Sequence, residues 1–121
     1  MSQESKSTHI SIYTWGNKKR KFKPSQSQHN FCVTGISCYK PHGINLKTTN
    51  GTDRRIQDKL QRQPKFSMYM KSALAKIETD ELHTISINCH KGRHRSVGFA
   101  ELLRVELIKL GYVVDLYHLE L

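Results

Sequence analysis

Residues 83–117 spell one unit that can fold in few ways. His83-Thr84-Ile85-Ser86-Ile87-Asn88-Cys89 alternates like a strand, a Gly-containing loop follows, and a helix is expected from about Arg95 to Leu110, with Ala100, Leu103, Leu107 and Leu110 on one face. Gly111 then supplies the left-handed residue that ends helices, and Tyr112 to Tyr117 is a strand of buried β-branched type. In a parallel sheet, strand, helix and strand in that order demand a right-handed crossover. The unit calls for an α/β domain built on a parallel sheet.

The rest of the chain extends that sheet. His9-Ile10-Ser11-Ile12-Tyr13-Thr14-Trp15 alternates at period two and is a strand. Gly16 to Asn30 is a basic loop, and Phe31 to Ile36 a second strand ended by a turn over Tyr39-Lys40-Pro41-His42-Gly43. Residues 44–53 lack periodicity, and Thr52 or Asp53 is placed to cap a short helix from about Arg54. Pro64 opens a clearer helix, whose Phe66, Met70, Ala73, Leu74 and Ile77 share one face. At 121 residues the expectation is a flexible segment over 1–8 and one small domain over 9–121. It should hold about four mostly parallel strands flanked by helices.

Charge narrows the partners. Lys and Arg number 20 against 10 Asp and Glu, a net +10, and residues 1–65 carry all of the excess. Lys18, Lys19, Arg20, Lys21 and Lys23 form its densest run, joined by Arg54 and Arg55. Such a balance favours nucleic acid, phosphorylated ligands or an anionic surface. No apolar stretch suits a signal peptide or a membrane span, and the three cysteines, at 32, 38 and 89, are an odd number. The expectation is a reducing intracellular, cytoplasmic setting without membrane contact, with Cys32 and Cys38 as inert packing residues. The 18–21 run also passes for a nuclear import signal.

The chemistry concentrates in Asn88-Cys89-His90-Lys91-Gly92-Arg93-His94-Arg95-Ser96, between a strand and a helix. Helix N–H groups without intrahelical partners point at such a loop and welcome an anion. Gly92 permits a tight turn, Arg95 can fork two donors onto phosphate oxygens, and Lys91 and Arg93 add charge. His90 and His94 straddle the glycine turn without a second ligand pair, so no metal is expected, and no cofactor either. Cys89, five residues, Arg95 and Ser96 also repeat the Cys-x-x-Gly-x-x-Arg-Ser loop of cysteine-dependent phosphatases. In that arrangement Cys89 would be nucleophile, Arg95 the phosphate clamp and Ser96 an aid to thiol departure, with Asp53 the candidate acid. The competing role for Asp53 is a helix cap.

Beyond the loop, the sequence resembles the C-terminal domain of the RapZ-type RNase adapter proteins of bacteria. That domain carries a Cys-x-Gly-Gly-x-His-Arg-Ser-Val loop, matched by Cys89, Gly92, His94, Arg95, Ser96 and Val97. Gly111-Tyr112 matches a later turn, and His118, Glu120 and Leu121 resemble the family's His-Arg-Asp-Leu ending. Pro41-His42 and Gly51-x-Asp53 resemble its Asn-Pro-His and Thr-Gly-x-Asp. Lys91 departs from the family's first loop glycine, Leu119 from the Arg of its ending, and Thr34-Gly35-Ile36 stands where an acidic-x-Arg is usual. The resemblance implies binding of a small regulatory RNA and an amino-sugar phosphate, an adapter role and self-association. It also implies ligand contacts by His42, Asp53, His118 and Glu120. No Gly-x-x-x-x-Gly-Lys-Ser/Thr motif occurs, so nucleoside-triphosphate hydrolysis is not expected.

Three functions follow in order. The first is a non-catalytic module holding a phosphorylated metabolite or RNA at residues 89–96, widened by the basic run. The second is a cysteine-dependent phosphatase; the third an adapter whose basic surface docks an acidic protein. Tyr13, Trp15, Phe22 and Phe31 are read as packing residues, with base stacking as their alternative.

Overall fold

The computed structural model describes residues 8–37 and 40–121. Along these run β1 (His9–Gly16), β2 (His29–Cys32), α1 (Arg54–Gln61), α2 (Phe66–Thr79), β3 (Thr84–Cys89), α3 (Arg95–Lys109) and β4 (Val113–His118). The strands form one sheet in the order β2-β3-β1-β4, and every neighbouring pair is parallel. Cys38 and Tyr39, with the start of the expected 39–43 turn, lie outside the described residues, as do residues 1–7 of the expected flexible segment. Among the described residues, no helix is long and apolar enough to cross a membrane.

Handedness distributes the connections. From β2 to β3 and from β3 to β4 the chain advances along the sheet, through α1 with α2 and through α3; from β1 to β2 it runs back. Right-handed crossovers send opposite directions of travel over opposite faces. The helices accordingly pack one face: Ile10, Ile12, Ile85 and Ile87 join one apolar cluster with Leu60, Met70, Ala73, Phe99 and Leu103. Phe66 of α2 meets Phe99 of α3 edge-on, with ring centroids 5.6 Å apart.

The other face of β3 is polar and is covered by the 17–28 connection. Ser86 and Asn88 are buried there, and the Ser27 and Ser86 hydroxyls meet at 2.7 Å. Asn30 ties the layer together. Its carbonyl accepts from the Trp15 indole N–H and the Ser86 hydroxyl, each at 2.8 Å, and its amide donates to the Asn88 carbonyl at 2.8 Å. Asn88 in turn donates to Asn17 at 3.1 Å.

Three expectations shift for physical reasons. β2 ends at Cys32 rather than Ile36, because after the Val33 N–H bonds the Asn88 carbonyl a turn closes between Ile36 and Val33. Val33 and Ile36 are fully buried all the same, so their apolar character marks the core and not strand pairing. β4 is an edge strand rather than a buried one, with Val113 61% exposed. The stripe of α3 stops at Leu107, since Leu110 already sits at the helix end and is exposed. Gly111 follows with φ +97°, the left-handed helix stop its position demands.

Asn30→Ala leaves the Trp15 indole and the Asn88 amide carbonyl without partners in a covered layer. Its unfolding free energy, from urea titration, should fall by about 1–3 kcal/mol. An unchanged midpoint would show that the polar layer is solvated rather than sealed.

Candidate functional site

Parallel strands end on the same side, so their following loops converge. Residues 17–28, 33–37 with 40–53, 90–94 and 119–121 all follow the carboxyl ends of the strands, the edge at which open α/β folds hold ligands. β3 and β1 are neighbours there, and their ends touch backbone to backbone. Gly92 has φ +73°, and a Cβ on it would lie 2.5 Å from the Gly16 nitrogen. The Asn17 and Lys18 N–H groups then donate to the Cys89 and His90 carbonyls at 3.0 and 2.8 Å.

That junction brings the basic run against the loop. A cavity of about 370 Å³ opens there, lined by Lys18, Lys47, Lys91, Arg93 and Arg95, with Cys89, His90, His94 and Leu46. Among the described residues, no Asp or Glu lines it. The helix above it starts without a side-chain cap. The N–H groups of Arg95, Ser96 and Val97 have no intrahelical acceptor, and Gly98 is the first to be paired, to the His94 carbonyl at 2.8 Å. Five cations and an uncapped helix N-terminus leave the cavity strongly positive.

Other contacts fix the shape of the site. The His94 Nε2 lies 2.9 Å from the Leu46 carbonyl and 2.8 Å from that of Thr49, so it donates to both and holds the loop that carries Lys47. The Gly51 N–H donates to the Arg93 carbonyl at 2.7 Å, and Gln57 donates to the Gly51 carbonyl at 2.9 Å. Arg95 donates from Nη1 to the Thr34 carbonyl at 2.7 Å while its guanidinium forms part of the cavity wall. Cys89 is only 3% exposed, and its thiol donates to the fully buried Ser96 hydroxyl at 3.2 Å.

The family model of the RapZ C-terminal domain matches residues 8–121. The chain belongs to that family. Its relatives include proteins named nucleotide-binding protein from Lactobacillus gasseri, 35% identical over 85 residues, and from Tolumonas auensis, 35% identical over 88. A nucleotide-binding protein of Cereibacter sphaeroides is 29% identical over 85 residues. The matched stretch covers 63–64% of this chain but only 28–31% of those relatives. This RapZ C-terminal domain therefore spans less than a third of the proteins it resembles.

The other expected site residues of this RapZ C-terminal domain fall around the cavity, not in it. Asp53 caps α1, accepting from the Arg55 N–H at 2.8 Å and from the Arg55 guanidinium at 2.8 and 3.0 Å. The Arg55 side chain and N–H hold its carboxyl down at about 2, so it stands as a carboxylate at neutral pH. Arg54 lies on a separate cleft between α1, α2 and α3, and His42 is exposed without lining the cavity. Glu120 packs behind Gly92 and accepts from the Arg20 Nε at 2.7 Å and the Gly16 N–H at 3.3 Å. His118 bridges Thr14 at 2.8 Å and Glu101 at 2.9 Å. Arg20, Lys21 and Lys23 border another groove, and Lys19 is exposed.

Sequence reasoning missed Lys47, Glu101 and Arg104. Lys47 reaches the cavity only because His94 folds an aperiodic loop back over α3. The Glu101–Arg104 pair was legible as helical spacing, but its link to His118 depends on the β4 register. Cys32 corrects the packing expectation: it is exposed, 3.2 Å from the Thr34 hydroxyl. Partial burial pushes its thiol up, but hydrogen bonds with Thr34 and Asn88 and the Arg95 charge outweigh this and leave it below its ordinary 9.0.

Two outcomes are expected. Gly92→Ala forces a left-handed alanine onto the Gly16 backbone and should cost at least about 1–2 kcal/mol, seen as a lower melting temperature. A wild-type melt would contradict the close junction. The hydrogen bond from His118, aided by Arg104 and opposed by burial, holds the Glu101 carboxyl below its ordinary 4.5. A depressed acid stabilises the fold above its unfolded pKa and loses that contribution as pH falls through the folded value. Glu101→Gln should therefore flatten the acid limb of stability below about pH 4.5 without steepening it at neutral pH, by urea unfolding across pH.

Proposed function

We propose that this chain is a phosphate-recognising binding module whose cavity at the start of α3 takes the phosphate of a small phosphorylated metabolite, of the amino-sugar phosphate type. The observation that carries the reading is the set Lys18, Lys47, Lys91, Arg93 and Arg95 around an uncapped helix N-terminus. Phosphate suits such a site because its oxygens accept from several N–H donors at once and its charge offsets the crowding of cations. The relatives' name, nucleotide-binding protein, fits a phosphorylated small molecule in general, although the matched stretch is under a third of their length.

Binding is favoured over phosphate cleavage. An acid that protonates a leaving group must hold a proton near neutral pH. Asp53, held as a carboxylate by Arg55, has none to give. The Cys89 thiol, buried and turned to Ser96, is a poor position for attack on phosphorus. A polynucleotide backbone is the second ligand this surface suits, since Lys18 joins the cavity to the rest of the basic run.

Isothermal titration with inorganic phosphate, glucosamine 6-phosphate and glucosamine tests the reading. The two phosphates should bind and the free sugar should not. Arg93→Ala should weaken binding about tenfold or more, the loss of one charge-assisted hydrogen bond. Cys89→Ser should bind within about twofold of wild type and release no phosphate from a phosphoester panel, as wild type should release none. Turnover abolished by Cys89→Ser would replace this reading with a phosphatase. For RNA, each lost backbone contact should reduce the log–log salt slope by about 0.7–0.9.

A further inference from the structure

The cavity at the start of α3 holds more positive charge than one phosphate can offset. Lys18, Lys47, Lys91, Arg93 and Arg95 line it, and among the described residues none of the five is paired with a carboxylate. Elsewhere Arg20, Arg55, Lys76, Arg104 and Lys109 each have such a partner. A phosphate monoester carries about −1.5 to −2 charges at neutral pH. Set against five side chains and the helix end, one such group leaves about three positive charges unmatched.

Those cations reach the cavity from separate segments. Arg93 and Arg95 flank the unpaired N–H groups that open α3. Lys91 precedes the left-handed turn at Gly92, and Lys18 is tied beside it by its N–H to the His90 carbonyl at 2.8 Å. Lys47 rides on the loop that His94 holds through the Leu46 and Thr49 carbonyls. The volume, about 370 Å³, falls in the range of small-molecule sites, roughly 300–1,000 Å³, rather than that of one inorganic ion. Lys91 is also the residue at which this chain departs from the first glycine of its family's loop. No Asp or Glu among the described residues lines the cavity, so a ligand's ammonium group would meet cations without a counter-charge. A second anionic group would meet three lysines.

We propose that the ligand of this cavity is bis-anionic: a small phosphorylated molecule with a second anionic group, carboxylate or phosphate. Lys18, Lys47 and Lys91 hold that second group, while the start of α3 with Arg93 and Arg95 holds the first phosphate. The proposal rests on the phosphate-module reading above and narrows its ligand. Lys91 then determines specificity, supplying a charge where the family's glycine has none. An amino-sugar phosphate keeps the phosphate contacts and gains nothing at the lysines.

The test is isothermal titration at fixed ionic strength with inorganic phosphate, glucose 6-phosphate, glucosamine 6-phosphate, 6-phosphogluconate and fructose 1,6-bisphosphate. The last two should bind about tenfold or more tighter than glucose 6-phosphate, and glucosamine 6-phosphate should bind no tighter than glucose 6-phosphate. The tighter of the two bis-anions names the second group as carboxylate or phosphate. Lys91→Gln, at an exposed position, should weaken glucose 6-phosphate about two- to threefold but the bis-anions about tenfold or more, so the preference collapses. Lys71→Gln removes the same charge from the exposed face of α2 and should leave the preference intact. Bis-anions that bind no tighter than glucose 6-phosphate would overturn this proposal and leave the phosphate reading standing. A preference that survives Lys91→Gln, or falls equally in Lys71→Gln, would reduce it to general charge attraction. No binding by any of the phosphates would overturn both.

Discussion

The backbone contact between Gly16 and Gly92 is the constraint on which the working edge of this domain depends. A Cβ on either residue would come within 2.3–2.6 Å of the other segment's backbone. With hydrogen in place of both side chains, the end of β1 lies directly on the loop after β3, and hydrogen bonding continues past the strand ends through Asn17 and Lys18. Lys18 thereby reaches the cavity at the start of α3. Glu120 closes the arrangement from behind, joining the chain's end to Arg20 and the Gly16 N–H.

Handedness then divides the labour between the two faces of the sheet. Advancing connections place three helices on one side, where isoleucines and α3 form the core. The returning connection crosses the other side, where Ser86, Asn88 and Asn30 anchor it with hydrogen bonds in place of apolar contact. The lysine-rich run is therefore not a loose tether. It is tied to the sheet at Asn17 and Ser27, with its charges between the two ends of the crossing, facing the cavity at one end and the groove beside Tyr13 at the other.

Much of this was legible in the sequence. The strand–loop–helix–strand unit of residues 84–118 pointed to a parallel sheet, and the Cys89–Ser96 loop raised the expectation of an anion site before any fold was in view. Asp53 as a cap was readable from its place before Arg54. What escaped depends on register and on long-range contact. Nothing local tells β4 from a buried strand, since Val113 and Val114 read alike until one is known to face away from the helices. Phe22 reads as core by its residue type and is exposed because the crossing presents it outward. Lys47 joins the site only through the hydrogen bonds of His94 to Leu46 and Thr49.

The central claim is that phosphate is held by the loop and first turn of α3. The most direct test follows backbone amide resonances of the ¹⁵N-labelled protein while inorganic phosphate is added. Saturable shifts concentrated at residues 90–97, with Lys18 and Lys47 responding alongside, are the result expected. Shifts centred instead on Arg54 and Arg104 in the helical cleft, or no saturable shift at residues 90–97, would contradict it.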